Sequence, residues 1–255
     1  MLFDTHAHYY DPKLTNDIKE AIARARSNGV GYIITASDNV ASCVENITLA
    51  QKYDIFYAAV GIHPHEAANQ SDDVMMALEE FASYPKVVAI GEIGLDYFYD
   101  HSPRDKQKEW FAKQISLARR LKLPIIVHDR DAHEDTLSML KSENAKDAGG
   151  VLHCFSGSVE MARQVLELGF MISVAGPVTF KNSKKLPEVV KYVPDDMLLI
   201  ETDSPYLAPE PYRGMRNESA YVRLVAEKIA EIKGRPIEYI EQTTTANAKR
   251  LFRIQ

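Results

Sequence analysis

Residues 2–8 read LFDTHAH, an apolar start that runs directly into His6 and His8. Side chains alternate across a β-strand, so Asp4, His6 and His8 are expected on one face, with both imidazoles aimed at one point beyond the strand's end. The arrangement recurs along the chain. Glu92 in VVAIGEIG (87–94), His128 in IIVHD (125–129), His153 in GVLHCF (150–155) and Asp203 in LLIETDSP (198–205) each close a short apolar run. Ligand-type residues at the C-terminal ends of parallel strands converge on one face of a (β/α)₈ barrel, the face that carries the active site in such enzymes.

Working outward from these runs, strand-like segments fall near 2–8, 30–36, 55–61, 87–91, 125–128, 150–154, 170–174 and 197–201. Helix-length amphipathic stretches separate them. In 103–121, for instance, Phe111, Ile115, Ala118 and Leu121 recur at helical spacing. Strands that alternate with helices pair in parallel through crossovers, and eight such units close a barrel. The expected fold is α/β, a single-domain (β/α)₈ TIM barrel of metallo-dependent hydrolase type spanning residues 1–255. The proline-rich stretch SPYLAPEPYRGMRN (204–217) follows the eighth strand, where a barrel carries an active-site loop.

A length of 255 residues and a hydrophobic content of 45% suit one such barrel. No basic segment followed by an apolar stretch opens the chain and no run is long enough to span a bilayer, so a cytoplasmic protein without a membrane partner is expected. Cys43 and Cys154 lack C-x-x-C spacing and read as reduced, buried thiols, Cys154 on the strand face opposite His153. A net charge of −6 argues against a broad basic surface for duplex nucleic acid. It leaves room for a nuclease whose positive charge is concentrated in bound metal ions and a few arginines.

Four imidazoles (His6, His8, His128, His153) and two carboxylates (Glu92, Asp203) suit two divalent ions. Glu92 is the natural bridge, since its two oxygens can contact both cations roughly 3.5–4 Å apart. Glu201 shares a face with Asp203, so one binds metal and the other supports it or accepts a proton; Asp203, nearer the strand's end, takes the first role. His63, in GIHPH, is expected to contact substrate. Arg130, Arg213 and Arg216 are candidate phosphate clamps, because a guanidinium fork matches phosphate oxygens. His101 and His133 read as surface residues, and neither Trp110 nor the tyrosines show the spacing of a base-stacking platform.

The chain resembles the TatD family of metal-dependent deoxyribonucleases, within the amidohydrolase-like barrels, from residue 3 to about 252. The likeness rests on FDTHAH (3–8), GIHPH (61–65), GEIGLDY (91–97), LPIIVHDRDA (123–132), HCFSG (153–157), GPVTFKN (176–182), ETDSPYLAP (201–209), RGMRNES (213–219) and TTTANAKRLF (243–252). By motif it implies metal ligation by His6, His8, Glu92, His128, His153 and Asp203, with Glu92 bridging, Asp203 orienting or deprotonating the attacking water and His63 touching substrate. It further implies 3′ to 5′ exonucleolytic hydrolysis of DNA, single-stranded or at 3′ ends, with RNA as a further substrate and metal-bound hydroxide as the nucleophile. One departure is visible: Tyr9 and Tyr10 separate His8 from Asp11, where the family commonly has His-Leu-Asp.

Histidine-rich ligation suits Zn²⁺ or Ni²⁺ as bound species, whereas activity in the family is tied to Mg²⁺ or Mn²⁺. Two rivals compete with the nuclease. A barrel amidohydrolase cleaving a lactone, cyclic amide or ester often bridges its metals with a modified lysine at the fourth strand, where this chain has Glu92. A non-enzymatic scaffold would have lost a ligand, and the set of six is complete. Oligomeric state is not read from the sequence.

Overall fold

The computed structural model describes residues 1–71 and 73–255. Its strands are β1 (Leu2–Ala7), β2 (Val30–Ala36), β3 (Phe56–Val60), β4 (Val87–Asp96), β5 (Ile125–Arg130), β6 (Gly150–Leu152), β7 (Met171–Val174) and β8 (Leu198–Ile200). They form one parallel 8-stranded sheet in sequence order. β8 and β1 meet through backbone bonds from Asp203 N to His6 O (2.9 Å) and from His8 N to Ser204 O (2.7 Å), which almost close the barrel. Helices alternate with the strands. The stretch expected at 103–121 is the helix Arg104–Leu121, which buries Trp110, Phe111, Ile115 and Ala118.

The floor of the barrel is apolar. Phe3, Ile34, Ala59, Val88, Ala89, Ile126, Val151, Met171 and Leu199, two from β4 and one from each other strand, pack together and are capped from below by Phe252 and Ile254. Side chains of the opposite strand faces, such as Leu2, Ile33, Val60, Ile90 and Val127, join the helices in a second cluster. Parallel strands covered on both faces need apolar residues on both, which is why their sequences are near-continuous hydrophobic runs.

Of the register shifts between neighbouring strands, two fall next to candidate ligands. β1 advances three residues against two of β2 between Asp4 and Ala7, and β4 does the same against β5 between Ile90 and Ile93. An extra residue in a strand is a bulge, which re-aims the side chains beside it. β4 consequently runs on to Asp96, five residues beyond the expected end at 91, and Glu92 lies inside the strand rather than at its tip. Two glycines flank it. A Cβ on Gly91 would stand 2.7 Å from Ile126 Cβ, and one on Gly94 would stand 2.0 Å from the carbonyl oxygen of His128. Only glycine allows β4 to lie this close to β5 on either side of Glu92.

Candidate metal centre

Glu92 stands at the centre of the mouth and divides the histidines into two groups. Its Oε2 lies 3.1 Å from His6 Nε2 and 3.6 Å from His8 Nε2, which are 3.2 Å from each other. Asp203 Oδ1 completes this group at 3.3 Å from His8 Nε2 and 3.8 Å from His6 Nε2. Oε1 of Glu92 faces the other way, 2.6 Å from His128 Nδ1, 2.8 Å from His153 Nε2 and 3.5 Å from His63 Nε2. His128 Nδ1 and His153 Nε2 are 3.2 Å apart. Donors held about 2.1 Å from a tetrahedral cation lie about 3.4 Å from one another, so the spacing in the first group is that of a coordination shell.

The backbone places these groups at some cost. β6 ends at Leu152 and β8 at Ile200, and the chain then passes through left-handed conformations at Cys154 (φ 42) and Asp203 (φ 58). Such conformations cost a residue with a side chain of order 1 kcal/mol or more and gather at functional sites.

The electrostatics are those of a buried carboxylate ringed by imidazoles. Burial pushes Glu92 toward its neutral form, but His153, His6 and His63 hold it well below the ordinary glutamate range. Burial likewise opposes charge on His8 and His128, yet His8 is held up at about 9 by its bond to Asp203 and the charges of Asp38 and Glu92. His128 is held up to about 9 by Asp96 and Glu92. A cation competes with these protons for the same nitrogens, so its binding releases protons and weakens as pH falls. His6 Nδ1 and His8 Nδ1 are buried without a hydrogen-bond partner among the described residues. Imidazole nitrogens turned on one another around carboxylate oxygens fit divalent cations, and the donor chemistry suits zinc, manganese or nickel as well as harder ions.

Three carboxylates support the centre, two of which sequence reasoning missed. Asp96 is fully buried. Its Oδ2 receives His128 Nε2 (3.1 Å) and His65 Nε2 (2.9 Å), while its Oδ1 accepts the backbone amides of Phe98 (3.0 Å) and Tyr99 (2.8 Å). This fixes which nitrogen His128 turns to Glu92, the usual task of a carboxylate behind a ligating histidine. Asp38, two residues past β2, lies 3.6 Å from His8 Nδ1 and is bonded by the Tyr10 hydroxyl. Glu201 stands behind His153, with Oε1 3.3 Å from His153 Nδ1 and 2.6 Å from the Cys154 amide. Asp203, not Glu201, faces the cluster.

Several expectations need correction. The β1 bulge sends Asp4 away from the mouth to Thr202 and Ser219, where burial raises its carboxyl to about 7 against those hydrogen bonds. Cys154 does not sit on the opposite face of β6, because the strand has already ended; it is half-buried and lines a cleft beside His153. Arg216 is bound to Asp17 and Glu218 and is no phosphate clamp. Arg130 and Arg213 do line the mouth. His101, exposed as expected, stacks on Tyr99 at 5.5 Å beside the centre. Tyr99 and Tyr206 also reach the mouth, from different loops, which is why no sequence spacing reveals an aromatic surface there.

The centre opens into a cleft of about 740 Å³ roofed by Pro205, Tyr206, Leu207 and Met215 of the proline-rich loop. A second cleft of about 380 Å³ opens on His128, His153 and Asp203 from the other side of Arg130. Among the described residues no helix is long and apolar enough to cross a membrane.

Comparison with known proteins bears on this geometry. A family profile described as TatD related DNase matches residues 3–253. The chain is 49% identical over 254 residues to a protein of Bacillus subtilis called uncharacterized metal-dependent hydrolase YabD, covering 100% of both. It is 34% identical over 258 residues to the 3′-5′ ssDNA/RNA exonuclease TatD of Klebsiella pneumoniae, covering 99% of this chain and 98% of that protein. Among solved structures it is similar to YJJV, a TatD homolog from Escherichia coli K12, with a TM-score of 0.94 and 32% identity over 100% of this chain and 98% of that one.

Proposed function

The chain belongs to the TatD-related DNase family of metal-dependent hydrolases, and on that premise we propose that it hydrolyses phosphodiester bonds of single-stranded DNA from the 3′ end at a two-cation site, with RNA as a further substrate. The observation that carries the reading is the division of Glu92: one oxygen turns to His6 and His8, the other to His128 and His153. His6, His8 and Asp203 would hold one ion, His128 and His153 the other, and Glu92 both. Bound there, two divalent cations polarise the phosphate, stabilise its developing charge and make water acidic enough to react near neutral pH.

The residues of the chain do the rest. Asp203 opens on both clefts and accepts the proton of the attacking water; burial would favour its neutral form, but the hydrogen bond from His8 keeps it ionised and so able to accept. Water adds to phosphorus, the bond to the 3′ oxygen of the preceding nucleotide breaks, and that oxygen leaves with a proton drawn from solvent. Arg130 carries no carboxylate partner among the described residues and grips a non-bridging phosphate oxygen. His63, which reaches both Glu92 and the large cleft, contacts substrate. The Klebsiella relative's name and the two free guanidinium groups at the mouth support nucleic acid over a carbon ester.

The test is a 3′-labelled single strand offered beside a panel of lactones and carboxyl esters, with Asp203→Asn as the second arm. Asp203→Asn should lower the rate of strand hydrolysis by at least about a hundredfold, the low end for a positioned base, while oligonucleotide binding persists. Turnover of the ester panel alone would sink the nuclease reading. A variant cutting DNA at the parent rate would move the proton to another acceptor.

A further inference from the structure

The two clefts differ in a way that bears on how a strand lies across the centre. Arg130 stands on the divide. Its guanidinium fits the corner between two perpendicular rings, 4.1 Å from the centroid of Phe98 and 4.7 Å from that of Tyr99. Phe98 faces the small cleft and Tyr99 the large one. On the far wall of the large cleft Arg213 lies over Phe180 at 4.2 Å, also without a carboxylate partner among the described residues. Asp38 and Asp96 on the walls of that cleft are engaged, by Tyr10 and by His65 and His128.

The small cleft has no second cation. Besides Arg130 and the histidines of the centre, its charged residues among those described are Asp129, Asp131 and Asp203. Its walls are apolar and partly aromatic, formed by Phe98, Phe155, Pro177, Leu186 and Leu207. Asp129 is paired with His133 at 2.8 Å, which leaves Asp131 and Asp203 to face the phosphates of a continuing strand with Arg130 as the one cation beside the centre's histidines among the described residues, whereas an uncharged planar group would meet the exposed Phe98 and the apolar walls around it.

Resting on the nuclease reading above, we infer that the small cleft is a subsite for the terminal nucleoside of the strand, whose base packs against the exposed Phe98, while the preceding nucleotides run out along the large cleft past Arg213. The scissile phosphate then lies between, against Arg130. The cleft's size suits this, since 380 Å³ is at the lower end of small-ligand sites. Exonucleolytic action follows from the shape: the strand ends where the cations end.

The experiment compares single strands of one sequence bearing a normal 3′ end, a 3′-terminal abasic sugar, a 3′-phosphate or a 5′-phosphate, each with the parent protein and with Leu186→Trp, which fills the cleft from a half-exposed position. The abasic end should raise KM about tenfold, the scale of one lost base contact. The 3′-phosphate should lower kcat/KM by a similar factor or more, and the 5′-phosphate should have no effect. Leu186→Trp should bring the normal end close to the abasic one, with metal content and thermal unfolding measured to verify the fold. If that variant misfolds, the substrate series on the parent protein decides alone. Equal turnover of normal, abasic and 3′-phosphorylated ends would overturn the subsite and leave the nuclease reading intact. Failure to cleave any of the strands would overturn both.

Discussion

The two ends of the barrel are built by opposite rules from the same eight strands. At the floor every strand contributes apolar side chains, and Phe252 and Ile254 close the layer. At the mouth two strands are bulged, Asp131, Cys154, Asp203 and Leu207 take left-handed conformations, and buried polar groups such as Glu92, Asp96 and Glu201 lie where an apolar layer would be more stable. Buried charge must be paired and hydrogen-bonded to be tolerated at all. The floor therefore holds the fold and the mouth is stabilised through its partners, which argues that the two respond to mutation in different currencies.

The largest effect is expected from Glu92→Gln. Removing the charge that faces both histidine groups should abolish turnover and lower the metal content by one ion, with the circular dichroism of the fold unchanged. A variant that keeps both ions and most activity would take Glu92 out of the bridging role. At the other end, Leu199→Ala should cost about 2–5 kcal/mol of stability by opening a cavity in the floor. Denaturant unfolding reads that loss, and turnover per folded molecule should stay at the parent value; a loss of turnover without a loss of stability would erase the distinction between the ends.

The floor and the order of elements were legible in the sequence because both rest on apolar periodicity, which local composition records. All six residues expected to bind metal do meet at the mouth, since each follows an apolar run that ends at the same level. What was not legible depends on register. Nothing in FDTHAH signals the extra residue that turns Asp4 away from His6, and the glycines of GEIGLD do not by themselves announce a bulge. Asp96 was within reach: it stands at an even spacing from Glu92 on the strand that follows the bulge. Asp38 was too, two residues past β2 as Asp203 is three past β8. The pairing of Arg216 with Asp17 joins residues about two hundred positions apart and had no local trace.

Asp96→Asn sharpens the comparison at intermediate size. Losing the carboxylate behind His128 should weaken metal affinity about 10–100-fold, measured by competition with a chelator, with the floor's stability untouched. Unchanged affinity would leave Asp96 a tie for the Phe98–Tyr99 loop alone. The smallest effect is expected at Arg216→Met, a partly exposed pair outside the clefts that should cost at most about 1 kcal/mol and leave KM alone. Its hydrogen bond is the main reason the Asp17 carboxyl is drawn down to about 2. A depressed carboxyl contributes stability above its unfolded pKa of about 4 and loses it as pH falls toward 2, so the variant should flatten that part of the acid-unfolding curve. A raised KM for oligonucleotide would return Arg216 to the substrate path.

The central claim is that Glu92 joins two cation sites, and diffraction from crystals grown in Mn²⁺, recorded at the manganese absorption edge, tests it most directly. Two anomalous peaks are expected on either side of the Glu92 carboxylate, about 4 Å apart, one against His6, His8 and Asp203 and the other against His128 and His153. A single peak, or peaks that leave one Glu92 oxygen without a cation at saturating Mn²⁺, would contradict it.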